Sequence, residues 1–253
     1  MRKKKHDFAE RAASGRHVGL ARAMSKLGLC SRSRAFELIR EGKVLLNGSV
    51  VKNPEAPVRP AKDRVELEGA QIGAPEKIYL LLNKPRGVVT TAADEKRRET
   101  VYALLPKGLS WVAPVGRLDQ ASEGILLFTN DSEWAARITD PETHLDKTYH
   151  VQIRVVADSQ LVERLERGVQ LPNGETLRAK RAYLLRAGQK QSWLEIVLDE
   201  GKNRHIRRML GGLGIEVLRL VRVSIGPLEL GDLPKGAHRL LRPEEKRAFD
   251  RGP

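Results

Sequence analysis

A lone carboxylate, Asp119, stands in the segment VGRLDQASEGILLFTND (Val115–Asp131), two residues after Arg117 and just ahead of an apolar run. An ionised aspartate on a loop can act as a nucleophile or a base, and loops held by a rigid scaffold are where such chemistry concentrates. Its small neighbours, Gly116, Ala121, Ser122 and Gly124, permit tight turns and let a large substrate approach the backbone. Taken by itself, Asp119 is better explained as a residue that caps a turn. Glu123 is the nearest second carboxylate, and its place beside Gly124 points to a turn-stabilising role.

Four other segments gather polar and cationic groups. NKPRGVVTT (Asn83–Thr91) puts Lys84 and Arg86 in a Pro-Gly turn, and DKTYHV (Asp146–Val151) sets Tyr149 at the start of a strand, close to Lys147 and His150. EGKNRHIRRML (Glu200–Leu210) opens a helix and carries Lys202, Arg204, Arg207 and Arg208; LVRVSIGPLEL (Leu220–Leu230) ends a strand with Ile225-Gly226-Pro227. On a helix Arg204 and Arg208 share a face while Arg207 points elsewhere, so one guanidinium can turn inward as the others meet phosphate. An inward guanidinium near Asp119 would keep the carboxylate ionised and oriented. The plainer alternatives are a solvated helix face for the arginines and a core position for Tyr149.

Periodicity indicates the elements that must hold these groups. Gly124–Thr129 is a short continuous apolar run, as expected of a strand buried on both faces. Further strands are expected at Ile78–Leu82, Val88–Thr91, His150–Val155, Leu177–Leu185, Trp193–Leu198 and Val217–Ile225. Helices are expected at Thr100–Leu105, Ser132–Ile138, Ser159–Arg167, Asn203–Leu213 and Pro243–Asp250, and Asn173-Gly174 signals a hairpin. Strands and helices mix without regular alternation, which predicts an α+β fold on a mixed, largely antiparallel sheet.

The front of the chain reads differently. Residues 1–16 form a basic tail without sustained apolar period. Leu20, Ala23, Met24 and Leu27 then recur at helical spacing up to Gly28, and Ser31 caps a second helix with Ala35, Leu38 and Ile39 inside and Arg32, Arg34 and Arg40 outside. Gly42 stops it, and Asn47-Gly48 turns a hairpin between Val44–Leu46 and Ser49–Val51. Prolines at 54, 57 and 60, then residues 69–75, mark the passage to a second domain near residue 75.

A net charge of +14 indicates a polyanionic partner, since clustered lysines and arginines gain affinity by releasing counterions from phosphates. The first 70 residues carry 16 Lys/Arg against 8 Asp/Glu, so the front is the favoured docking surface. An aromatic content of 4% argues against a broad base-stacking platform. A single cysteine, Cys30, excludes an intrachain disulfide and a multi-cysteine zinc site, and the six histidines show no ligand-like spacing, so no metal is expected. No apolar run reaches membrane-spanning length and the charged start is no signal sequence, so the expected compartment is the cytoplasm and no membrane partner is expected.

The string LGLCSRSRAFELIREGKVLLNG (Leu27–Gly48) resembles the alpha-L RNA-binding domain first known from ribosomal small-subunit protein four, over roughly residues 17–69. A DNA-reading helix-turn-helix shares the helix pair but does not need the attached hairpin. Behind that module, the five motifs in their order resemble the RsuA-type family of ribosomal RNA pseudouridine synthases, over roughly residues 17–242. The resemblance implies an alpha-L domain at 17–75, a pseudouridine synthase catalytic domain at 76–242 and a C-terminal helix or tail at 243–253. It makes Asp119 the essential catalytic residue, Arg117 the arginine that displaces the target base and Tyr149 the residue that stacks on it. Arg207 would pair with the aspartate, and Leu220 would pack around it; His205 receives no role. Arg32, Arg34, Lys84, Arg86, Arg117, Lys147, Lys202, Arg204, Arg208 and Leu220 are expected to contact RNA.

The implied reaction breaks the nitrogen-to-ribose bond of a uridine turned out of its stack, rotates the uracil and rejoins it through a ring carbon. No metal or organic cofactor is implied. The expected partner is ribosomal RNA or a pre-ribosomal particle, with large-subunit RNA favoured over small, and the chain is expected to act as a monomer. A noncatalytic RNA-binding or ribosome-assembly protein would explain the charge and the first module, but would leave Asp119, Tyr149 and the arginine helix without a joint purpose. A hydrolytic glycosidase would need two cooperating carboxylates, for which Glu123 is a poor second.

Overall fold

In the computed structural model, residues 17–59, 62–67, 70–71 and 76–250 are described; the basic tail expected at 1–16, Pro60 and most of the linker over 68–75 lie outside them. The chain divides into two compact units. One ends at Lys77 and includes Gly108–Ala113, and the other comprises Ile78–Lys107 and resumes at Pro114.

In the first unit, α1 (Leu20–Lys26) is followed by Gly28 at φ 70° and α2 (Arg32–Arg40) starts on Ser31, whose Oγ accepts from the Arg34 amide at 3.1 Å. A left-handed residue after a helix and a serine cap at the next are the punctuation that keeps two short helices separate. Strands β1 (Val44–Leu46) and β2 (Ser49–Val50) turn through Asn47 and Gly48, both at positive φ as a tight hairpin turn requires, and β3 (Val65–Leu67) pairs with β1. Leu20, Met24, Ala35, Leu38, Ile39 and Val44 form the core, with Cys30 half-buried against it. Each buried large aliphatic contributes about 1.5–3 kcal/mol.

The second unit is built on a sheet whose strands, in chain order, are β4 (Tyr79–Lys84), β5 (Glu123–Thr129), β6 (Lys147–Ile153), β7 (Arg181–Ala187), β8 (Ser192–Leu198), β9 (Val217–Ile225) and β10 (His238–Leu240). Their spatial order is β7-β8-β6-β9-β5-β4-β10, with two shorter strands added at Ala113–Val115 and Leu228–Glu229. Neighbours are antiparallel except β5 and β9, which run parallel through two registered pairs, Val221 with Glu123 and Arg222 with Gly124. Helices α3 (Ser132–Thr139), α4 (Ser159–Arg167), α5 (His205–Gly211) and α6 (Pro243–Asp250) complete the unit.

Every residue of β5 is buried, the outcome that its unbroken apolar run predicts. Ile125 and Leu127 pack with Leu81, Trp134 and Ile138, while Phe128 meets Tyr102 edge-on at 5.9 Å. Asp131 caps α3 by accepting from the amides of Glu133 and Trp134, each at 3.2 Å, and so seats Trp134 between Tyr79 and Phe249 of α6. A second core joins β6, β8 and β9 to α4 and α5 through Val151, Leu165, Leu194, Ile196 and Met209.

Four expectations need correction. Val88–Thr91 is not a strand: only Val89 bridges, to Thr100, because the backbone turns at Thr90, where the Thr91 amide donates back to Val89 O at 3.1 Å. Leu177–Leu185 is broken, since the Ala179 amide donates to Leu165 O at the end of α4 before β7 begins. The helix expected at Thr100–Leu105 is a four-residue 3-10 turn, Val101–Leu104. Helix α5 is shorter than Asn203–Leu213 because Arg204 takes a left-handed conformation, φ 48°, and so cannot extend it.

Candidate active site

Asp119 lies on the loop entering β5, and the loop is held by its carbonyl groups. Lys84, the last residue of β4, sends Nζ to Ser122 O at 2.8 Å, Pro85 O at 3.0 Å and Asp119 O at 3.2 Å. Arg207 Nη2 donates to Ala121 O at 3.0 Å, and Thr90 Oγ1 donates to Leu118 O at 2.8 Å. The Gly87 amide donates to Gln120 O at 2.8 Å, and Gln120 Nε2 returns a bond to Gly87 O at 2.9 Å. The backbone is thus fixed from several directions while, among the described residues, none donates to or pairs with the Asp119 carboxylate. An aspartate capping a turn would instead have its side chain engaged, so the turn-cap explanation fails.

The carboxylate borders a cavity of about 610 Å³. Tyr149 of β6 and Leu220 of β9 line it, together with Arg117, Lys147, Lys202 and Arg204. Tyr149 is half-buried and packs against the second core with part of its ring, so it serves both the core and the cavity. Gly116, at φ 72°, leaves the wall open, since an added Cβ would find its nearest neighbour, Thr139 Cγ2, at 3.8 Å. Gly124 does something else: a Cβ there would stand 2.1 Å from Arg222 O, so the missing side chain admits β9, not substrate.

The cations sort by burial. Lys84, expected to contact RNA, is wholly buried, and burial pushes its pKa down to about 8 against the pull of Asp119 and Glu123. Its ammonium organises the loop and cannot reach a phosphate. Arg207 turns inward as expected, yet bonds Ala121 O and Val217 O in place of the Asp119 carboxylate. Burial and then Arg204 lower its pKa, while Asp119 raises it, so the two groups sense each other without an ion pair within 4.0 Å. Arg208 is tied to Glu175 of the hairpin that Asn173-Gly174 turns, and Lys202 pairs with Glu200 at 3.1 Å. Arg86 is exposed and touches Leu218 O at 3.4 Å; Arg117 and Arg204 are exposed and make no ion pair with any described residue.

In the first unit Arg32 and Arg34 are exposed on α2, paired with Glu55 at 3.3 Å and Glu37 at 2.8 Å. Exposed pairs of this kind hold weakly, and a phosphate can displace the carboxylate.

Three further titratable groups are buried at or near the site. Glu123 is no turn residue: it is buried, gripped by Arg219 at 2.9 and 3.0 Å and by Lys235 at 2.6 Å. Burial opposes its ionisation, but these two cations outweigh it and lower its pKa. His205 is buried against the cavity, 3.5 Å from Glu200, and burial lowers its pKa against the pull of that carboxylate. Arg222 is buried on the cavity wall beside Lys147. An arginine at an inward register position of an otherwise apolar strand, LVRVSI, was the signal that could have revealed it.

Residues 78–211 match the family described as RNA pseudouridylate synthase, and residues 18–65 match the S4 domain. The chain is 38% identical to ribosomal large subunit pseudouridine synthase B of Bacillus subtilis, over 89% of this chain and 93% of that protein. It is 36% identical to an RNA pseudouridine synthase of Aquifex aeolicus, over 90% of this chain and 92% of that one. A crystal structure of a pseudouridylate synthase superposes with a TM-score of 0.64 at 28% identity, covering 92% of this chain and 99% of the other.

Proposed function

The chain belongs to the RNA pseudouridylate synthase family and carries an S4 domain ahead of the synthase domain, and on that premise we propose that it isomerises one uridine of large-subunit ribosomal RNA. The observation that carries the assignment of its centre is the Asp119 carboxylate, unengaged at the edge of the cavity while its backbone is bonded on several sides. A carboxylate left without hydrogen bonds beside a cavity keeps its lone pairs for the substrate, and a fixed backbone spares the reorganisation that would otherwise raise the barrier.

In this reading the S4 module spans residues 17–75 and docks the RNA, and residues 76–242 do the chemistry. Arg117 displaces the target base and Tyr149 stacks on it, offsetting the few kcal/mol of unstacking. Asp119 acts on the ribose as nucleophile or as the base opening a glycal route. The bond from N1 to C1′ breaks, the ring turns within the cavity, and C5 bonds to C1′ as its proton is lost and N1 gains one. The sum is an isomerisation without net redox change. Leu220 packs on the site, and Arg204 and Arg86 meet phosphates. The protein works as a cytoplasmic monomer on ribosomal RNA or its assembling particle.

Carbodiimide mapping of pseudouridine in ribosomal RNA, from cells with and without the gene, tests the assignment. Loss of one large-subunit site, restored by the wild-type gene and not by Asp119→Asn, is the expected result. An unchanged map overturns the ribosomal assignment, and rescue by Asp119→Asn overturns the role of Asp119.

A further inference from the structure

A guanidinium is seldom buried without a carboxylate, because desolvation outweighs what carbonyl groups return. Arg222 of β9 is 7% exposed, and no described carboxylate lies within 4.0 Å of it. Its Nε and Nη2 both donate to Ile125 O, at 2.9 and 2.6 Å, which fixes the guanidinium plane. Nη1 has no hydrogen-bond partner among the described residues, is not sealed from solvent, and belongs to a side chain that lines the Asp119 cavity. Tyr149 is its register partner across β6 and β9, so the guanidinium stands beside the position proposed for the stacked base.

A second cation shares the wall. Lys147 is half-buried there, and its pKa is lowered first by burial and then by the charge of Arg222, against the weaker pull of Asp146 and Asp199. Two positive charges held together in a partly dry cavity repel each other, and an anion between them relieves both terms.

Resting on the function proposed above, we propose that Arg222, with Lys147 beside it, donates to a carbonyl oxygen of the target uracil and stabilises the negative charge that the base acquires as it leaves the ribose. When N1–C1′ breaks, the electron pair passes to N1 and spreads over O2 and O4. A guanidinium suits that moment, because it is a fixed cation whose plane the two bonds to Ile125 O hold while Nη1 remains to donate. Nothing is oxidised, and Arg222 returns to its starting state once C5 has bonded C1′.

The test compares Arg222→Gln and Arg222→Lys with wild type in single turnovers on ribosomal RNA fragments carrying uridine or 5-fluorouridine at the target, and reads loss of the N1–C1′ bond in both, because fluorine replaces the C5 proton whose departure completes the reaction with uridine. Fluorine stabilises the departing anion, so the fluorinated base depends less on the arginine. Expected for Arg222→Gln is a loss of rate on the order of 100-fold with uridine, little change in KM, and a loss at least several-fold smaller with 5-fluorouridine; Arg222→Lys falls between. The ratio of the two losses is taken on one preparation, so partial misfolding cancels. Equal losses on both substrates would make Arg222 a structural tie between β5 and β9, and a loss confined to KM would make it a phosphate contact; either overturns the proposal while leaving the function intact. A wild-type protein inert on every fragment would overturn both.

Discussion

Lys84 Nζ lies 3.2 Å from the carbonyl oxygen of Asp119, thirty-five positions further along the chain. The contact joins the end of β4 to the loop before β5 from inside the protein, with Ser122 O and Pro85 O completing the coordination of the ammonium. A buried lysine with three carbonyl acceptors is a clamp on backbone geometry.

Lys84→Met keeps the stem and removes the clamp. A catalytic group displaced by about 1 Å loses on the order of 100-fold in rate, so kcat should fall 10- to 100-fold, in round terms about that range, with RNA affinity unchanged. Single-turnover kinetics beside a binding titration separates the two; weakened binding at full kcat would restore Lys84 to the RNA surface.

Two glycines at positive φ test the strand junction. Gly124→Ala puts a Cβ 2.1 Å from Arg222 O, against backbone that cannot yield, so unfolding free energy should drop by more than about 4 kcal/mol. Gly87→Ala, at φ 97° with nothing within 4 Å, meets only conformational strain and should lose about 1–2 kcal/mol. Denaturant melts of the two variants should therefore differ clearly, and similar midpoints would refute the close approach of β5 to β9.

Salt dependence of RNA binding separates two neighbouring arginines. Arg204 has no ion pair among the described residues, and Arg204→Ala should reduce the slope of log K against log salt by about 1. Arg208 is tied to Glu175, so Arg208→Ala should leave the slope nearly untouched. Equal slopes for both variants would show that the Glu175 pair opens on RNA.

The acid limb of stability should carry the signature of α6. Glu245 accepts from Arg239 at 2.7 and 2.8 Å and from Arg242, and these bonds hold its pKa down to about 2. A carboxylate with a depressed folded pKa stabilises the fold above its unfolded value, near 4.5, and loses that contribution as pH falls from there to about 2. Glu245→Gln should therefore cost about 1–3 kcal/mol at pH 7 and almost nothing at pH 2. Urea melts across that window measure the convergence; parallel curves would mean that the pair adds no stability.

What was legible in the chain was local. Val217–Ile225 and Ser159–Arg167 stand where their periodicity puts them, because alternation and helical spacing respond to burial that each element meets along its whole length. Ser31, Gly28 and Asn47-Gly48 were equally readable, since caps and turns are decided within four residues. Lys84 could not be assigned from its turn-like surroundings, for its burial is set by a loop thirty-five residues away. Glu123 failed for the same reason: Arg219 and Lys235 reach it from β9 and from the approach to β10. Charge in a sequence says which groups need partners, and only the fold says whether the partner is water, carboxylate or carbonyl.

The parallel contact of β5 with β9 has a mechanical meaning. Antiparallel pairing knits β7, β8, β6 and β9 into one panel and β5, β4 and β10 into another, and two registered residue pairs, with Arg222 on Ile125 O and Arg219 on Glu123, stitch the panels together. Asp119 leads into the second panel, whereas Tyr149 and Leu220 belong to the first. The cavity therefore straddles a seam, and a small rotation about that line would change the gap between carboxylate and tyrosine while leaving the hydrogen bonding of each panel whole.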